Sequence, residues 1–132
     1  MVGRTRTGDK KNAKEYPFWE ELIVLLKQMG YEVKELDREV PLKELETLIK
    51  ESFTVITIDS FLQHYCWYLG KQAIVIWGKS DPEIFGHPEN INLIKDRNNL
   101  RKEQFGWWTD VVHSNDDFVS PETIINALKM VK

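Results

Sequence analysis

Apolar and polar positions along the chain change period several times. Phe18, Leu22, Leu25, Leu26 and Met29 recur at helical spacing, with Pro17 suited to a first turn and Gly30 to a terminus, which predicts a helix over 17–29. Residues 31–36 (Tyr-Glu-Val-Lys-Glu-Leu) then alternate with period two, the mark of a short, half-buried strand. After Pro41, Leu42, Leu45, Leu48 and Ile49 return to one helical face, predicting a second helix to about Ser52. Residues 53–58 form an apolar, β-branched run that stops at Asp59-Ser60, as a buried parallel strand does on meeting a loop.

The same alternation continues downstream. Phe61, Leu62, Tyr65, Cys66 and Leu69 are expected to face inward from a helix over 60–69 closed by Gly70. Residues 73–77 (Ala-Ile-Val-Ile-Trp) make another continuous apolar strand, followed by the loop Gly78-Lys79-Ser80-Asp81-Pro82. A short strand is expected over 90–94 and mostly loop over 98–119. A last helix opens at Ser120-Pro121, with Ser120 as N-cap and Ile124, Ile125 and Leu128 on its apolar face. Strands alternating with helices define an α/β domain with a parallel sheet, Rossmann-like and three-layered. Ligands of such sheets bind where strand C-termini open into loops. The expected pocket therefore lies at Asp59-Ser60 and Gly78-Lys79-Ser80. One difficulty stands at the front: such a sheet usually begins with a central strand, yet within the basic arm over 1–15 only Met1 and Val2 precede the loop that starts at Gly3-Arg4. That strand is absent, built from very few residues, or supplied by association.

Composition narrows the function classes. The chain has 132 residues, 18 Lys+Arg against 21 Asp+Glu and a formal charge of −3, the size of a single domain. A general nucleic-acid partner would call for a basic excess, so none is expected. The longest apolar runs, 22–26 and 73–77, fall far short of the roughly 20 residues of a bilayer span. The N-terminus lacks the apolar stretch of a signal peptide, which points to a cytoplasmic location. The single cysteine, Cys66, reads as a small buried hydrophobe. His87 and His113 have no neighbours at metal-ligand spacing and read as loop residues, so no metal is expected.

Two catalytic motifs are approached and not met. The run Gly3-Arg4-Thr5-Arg6-Thr7-Gly8-Asp9-Lys10 nearly spells a phosphate-binding P-loop, but Asp9 occupies the lysine position and no strand of normal length precedes it. Asp59, Ser60 and His64 invite a triad, but no nucleophile elbow surrounds Ser60. The better reading sets the Ser60 hydroxyl and the first helical N–H groups around an anion. Its alternative is a simple N-cap with His64 satisfied inside the fold. Phe105, Trp107 and Trp108 suit either a base or sugar stack or packing over the sheet edge, and packing is the expectation.

The ordered run Asp59-Ser60-Phe61-Leu62-Gln63-His64, Leu69-Gly70, Ile74-Val75-Ile76-Trp77-Gly78 and Ser80-Asp81-Pro82 resembles the donor-binding, C-terminal half of the family 9 glycosyltransferases, the lipopolysaccharide heptosyltransferase group. In that family an apolar strand leads to Asp-Ser/Thr-Gly-x-x-His, a helix ending Leu-Gly, and an apolar strand ending Phe-Gly before a Thr/Ser-x-Pro loop. Lys14-Glu15-Tyr16-Pro17-Phe18-Trp19 is similar to the family's Lys-Arg-Trp-Pro approach to its first helix. The resemblance implies one half of a GT-B enzyme that binds a nucleotide-activated sugar, an ADP-heptose-like donor being favoured. It implies that Ser60 and neighbouring amides such as that of Phe61 receive the donor diphosphate. Lys14 and either Thr5 or Thr7 would approach that phosphate, with Asp59 and His64 shaping the pocket. No cofactor is implied, because a lysine and a helix N-terminus stabilise a departing diphosphate without a metal.

Two departures accompany the resemblance. Phe61 stands where the family carries glycine, so a side chain is expected to crowd or redirect the ligand. The acceptor half is also missing, which implies transfer only with a separate acceptor-domain chain or a homodimer. The alternative is a non-catalytic nucleotide-binding or protein-interaction module in the same fold.

Overall fold

A computed structural model describes residues 1–3, 14–36, 40–106 and 114–132. Its strands are β1 (Val2–Gly3), β2 (Glu35–Leu36), β3 (Val55–Ile58), β4 (Ala73–Trp77) and β5 (Ile91–Ile94). The helices are α1 (Trp19–Gln28), α2 (Leu42–Glu51), α3 (Phe61–Tyr68), α4 (Pro82–Phe85) and α5 (Pro121–Leu128). All five strands run parallel in the order β2-β1-β3-β4-β5, an α/β sheet flanked by helices and compatible with a Rossmann-like fold.

Alternate residues of the central strands serve opposite faces, as the period of a strand requires. Ile56, Ile58, Ile74 and Ile76 pack beneath α1 and α5 with Leu22, Leu26, Ile124 and Leu128. Val55, Ala73, Val75 and Trp77 meet α2 and α3 through Leu45, Ile49, Leu62 and Cys66. Both faces are apolar, which explains why β3 and β4 read as uninterrupted hydrophobic runs.

The central first strand exists, built from very few residues. Val2 and Gly3 pair with Glu35 and Leu36 on one side and with Ile56 and Thr57 on the other. This brevity also corrects the expectation of a strand over 31–36: β2 can pair only as far as β1 extends, so Glu35 and Leu36 alone join the sheet. Gly3 is required by α3. A Cβ there would run into Leu62 Cδ2 and lie 3.1 Å from Thr57 Oγ1.

Other boundaries follow local chemistry. The last helix starts as expected, with Pro121 in its first turn and the Ser120 hydroxyl accepting from the Thr123 amide at 3.4 Å. The loop expected after β4 instead contains the single turn α4, whose start Asp81 caps by accepting from the Glu83 amide at 2.9 Å. Phe61 corrects the inward stripe of α3: Leu62, Gln63 and Cys66 are buried, while Phe61 is 61% exposed. Among the described residues, no helix is long and apolar enough to cross a membrane.

Candidate functional site

The chain turns in opposite directions from β1 and β3, since β1 leads to its outer neighbour β2 and β3 leads the other way to β4. A crevice opens at the C-terminal ends of strands where such a reversal occurs. A cleft of about 470 Å³ lies there, lined by Lys14, Asp59, Ser60, Phe61, His64, Phe85, Gln104, Phe105 and Gly106. Its size falls within the range of about 300–1,000 Å³ common for small-molecule sites.

Lys14 reaches this cleft because the residues after it are anchored. Buried Glu15 accepts a hydrogen bond from Trp19 Nε1 at 2.5 Å, and the buried Tyr16 hydroxyl donates to the Val119 carbonyl at 2.8 Å. The Tyr16 ring meets Phe18, Trp19 and Phe118 edge-on. From that footing Lys14 Nζ lies 3.0 Å from Asp59 Oδ2.

Asp59 is held from its other oxygen as well. Buried Gln63 donates from Nε2 to Asp59 Oδ1 at 3.0 Å and to the Phe85 carbonyl at 3.4 Å, tying the loop after β3 to α4. Ser60 occupies the N-cap position of α3 in extended conformation but makes no side-chain cap. Its hydroxyl instead donates to the Ile58 carbonyl at 3.2 Å and lies 3.3 Å from Thr57 Oγ1. The simple side-chain cap is therefore not how this helix begins; the Gln63 amide bonds to the Ser60 carbonyl at 3.3 Å.

His64 is paired outward rather than satisfied inside the fold. Its Nδ1 lies 2.8 Å from His87 Nε2, and His87 stacks on Trp67 with ring centroids 4.5 Å apart. His87, expected to be an ordinary loop residue, thus pairs with a cleft residue without itself lining the cleft. Partial burial and the neighbouring His87 lower the His64 pKa from its usual value. Asp59, Ser60 and His64 each bond to other groups, so they form no hydrogen-bonded triad.

The loop after β4 is adjacent to the cleft, but Gly78, Lys79 and Ser80 are not among its lining residues. A Cβ on Gly78 would lie 2.7 Å from Phe118 Cζ, so this glycine admits the Phe118 ring. Lys79 Nζ pairs with the nearly buried Asp117 carboxylate at 3.0 Å, and Ser80 is buried. Thr5, Thr7, Trp107, Trp108 and His113 lie outside the described residues.

Gln104, unmarked by any local motif, organises the far wall. Its Oε1 accepts from the Asp81 amide at 2.9 Å, while Nε2 donates to the Lys79 and Arg101 carbonyls at 3.0 and 2.7 Å. Asp81 also receives a two-point grip from Arg97, at 3.2 and 2.9 Å. Burial opposes ionisation of Asp81, but the Arg97 and Glu83 hydrogen bonds outweigh it and hold the carboxyl below its usual range. The adjoining Phe105 is 76% exposed, against the expectation that it packs over the sheet edge.

Chemically, the cleft offers a lysine ammonium, the start of a helix and an aromatic rim. Such groups suit an anion that also carries apolar surface. Among the described residues, no group of three or more His, Cys, Asp or Glu is placed to hold a metal. Comparison with protein-family models, with curated proteins and with solved structures returns no match. The geometry thus defines an α/β domain with a switch-point cleft.

Proposed function

We propose that this chain is a Rossmann-like nucleotide-sugar-binding domain, equivalent to the donor half of a family 9 glycosyltransferase, which holds its ligand through the diphosphate. The observation that carries this reading is the convergence of Lys14 and the start of α3 on one cleft. Lys14 precedes the Asp59 loop by 45 positions in sequence, and the resemblance assigns Lys14 and the start of α3 to the same phosphate. Phe61 lines the cleft, with its ring 61% exposed and stacked on Tyr65 at 5.5 Å.

In this role Lys14 exchanges part of its interaction with Asp59 for the phosphate oxygens. The α3 amides supply further donors to the charge that builds on the leaving diphosphate during sugar transfer. Acceptor and general base would come from a separate acceptor-domain chain or a second copy. An ADP-sugar is the favoured ligand. Without an acceptor partner, the same cleft serves a non-catalytic nucleotide-binding module.

Calorimetric titration with ADP, UDP and GDP, then the matching sugar nucleotides, tests the proposal. Micromolar binding of one of them is expected, with Lys14→Ala weakening it at least tenfold while the circular dichroism spectrum stays unchanged. A folded chain that binds none of them at millimolar concentration would refute a donor site.

A further inference from the structure

Two large apolar side chains at the cleft are left to solvent, Phe61 at 61% exposure and Phe105 at 76%. They come from distant elements, the first turn of α3 and the strap that follows Arg97. Each is held in place. One face of Phe61 is covered by Tyr65, with rings 21° from parallel. Phe105 meets Phe85 edge-on at 5.4 Å, and the three hydrogen bonds of Gln104 fix the backbone beside it.

Neither ring is needed to fill the core, and exposed phenyl groups rimming a pocket are a common sign of a ligand surface. The charged groups, Lys14 and Asp59, lie in the same cleft. We infer that Phe61 and Phe105 form a nucleobase-stacking subsite beside the phosphate-binding groups, so that the base, not only the diphosphate, determines affinity. This rests on the nucleotide-binding reading above. A flat π-system gains from stacking on phenyl faces irrespective of its hydrogen-bonding edge, so the subsite distinguishes nucleotides from bare phosphates more than one base from another.

The test compares the full chain with Phe61→Ala and Phe105→Ala in titrations with inorganic pyrophosphate, ADP and glucose 1-phosphate. Both positions are exposed, and circular dichroism checks that the variants fold. ADP is expected to bind at least about tenfold more tightly than pyrophosphate. Each alanine variant should lose most of that advantage, Phe105→Ala leaving pyrophosphate affinity within twofold, and Phe105→Trp should keep the advantage. An unchanged ADP-to-pyrophosphate ratio in both variants would overturn the subsite and leave the diphosphate site standing. A loss confined to glucose 1-phosphate would overturn the base assignment in favour of a sugar. Failure of the unsubstituted chain to bind either pyrophosphate or ADP would overturn the underlying nucleotide reading as well.

Discussion

Gly78→Ala separates a packing glycine from a ligand-binding one. The added methyl would lie 2.7 Å from Phe118 Cζ and 2.9 Å from Cε1, closer than carbon atoms approach without displacement. Phe118 has little room to retreat: it is 2% exposed, and its ring abuts Tyr16 at 6.0 Å. Overpacking of this kind costs about 1–3 kcal/mol. Restricting the unfolded chain returns about 0.4–1 kcal/mol, leaving a net loss between about 0 and 2.6 kcal/mol, roughly 1–2 kcal/mol over the middle of both ranges. For a domain of this length that lowers Tm by about 3–9 °C, readable by scanning calorimetry. Phe118→Leu in the Gly78→Ala background should recover part of the loss, because the shortened side chain vacates the contested space. Affinity for ADP, measured well below Tm, should change less than twofold, since Gly78 does not line the cleft. An unchanged or raised Tm would refute the packing argument. Lost affinity at unchanged Tm would place Gly78 in the site after all.

Two further outcomes follow from the titratable groups. Burial pushes the Cys66 thiol up to about 12, so a thiol reagent at pH 8 should modify it only on unfolding. Rapid modification of the native chain would contradict that burial. For His64, burial and His87 depress the folded-state pKa, so the unfolded chain takes up the proton first. Its contribution to stability is full above the ordinary value of 6.5 and declines as pH falls through the lower folded value. His64→Gln should flatten this part of a pH series of urea melts; an unaltered slope would exclude His64 as its source.

Much of the fold was legible because β3 and β4 are buried on both faces and α5 carries its own Ser-Pro start. The first strand was not, because two residues give no periodicity and Val2–Gly3 is recognisable only by its partners. The stripe drawn on α3 was one residue too wide. Leu62 and Cys66, one turn apart, set the buried face and rotate Phe61 to the rim. Lys14, Asp59, Ser60 and His64 can be singled out from local motifs, whereas Gln104 and Phe105 join them through contacts spanning 20 positions or more, as from Gln104 to Asp81. His87 reads as an ordinary loop residue for the same reason, since its partner His64 lies 23 residues away. Asp81-Pro82 did carry a helix-start signal, but its helix is a single turn within what the pattern marked as loop.

In the proposed site a nucleoside diphosphate sits between Lys14 and the start of α3. Amide chemical-shift mapping of the isotopically labelled chain during titration with ADP tests it most directly. A second hollow at the opposite end of the sheet, lined by Tyr31, Phe53 and Thr54 among others, provides an internal control. Saturable shifts are expected at the amides of Ser60, Phe61 and Leu62 and around Lys14 and Phe105, with Tyr31, Phe53 and Thr54 unmoved. Shifts confined to that opposite end, or none at millimolar ADP, would contradict the proposed site.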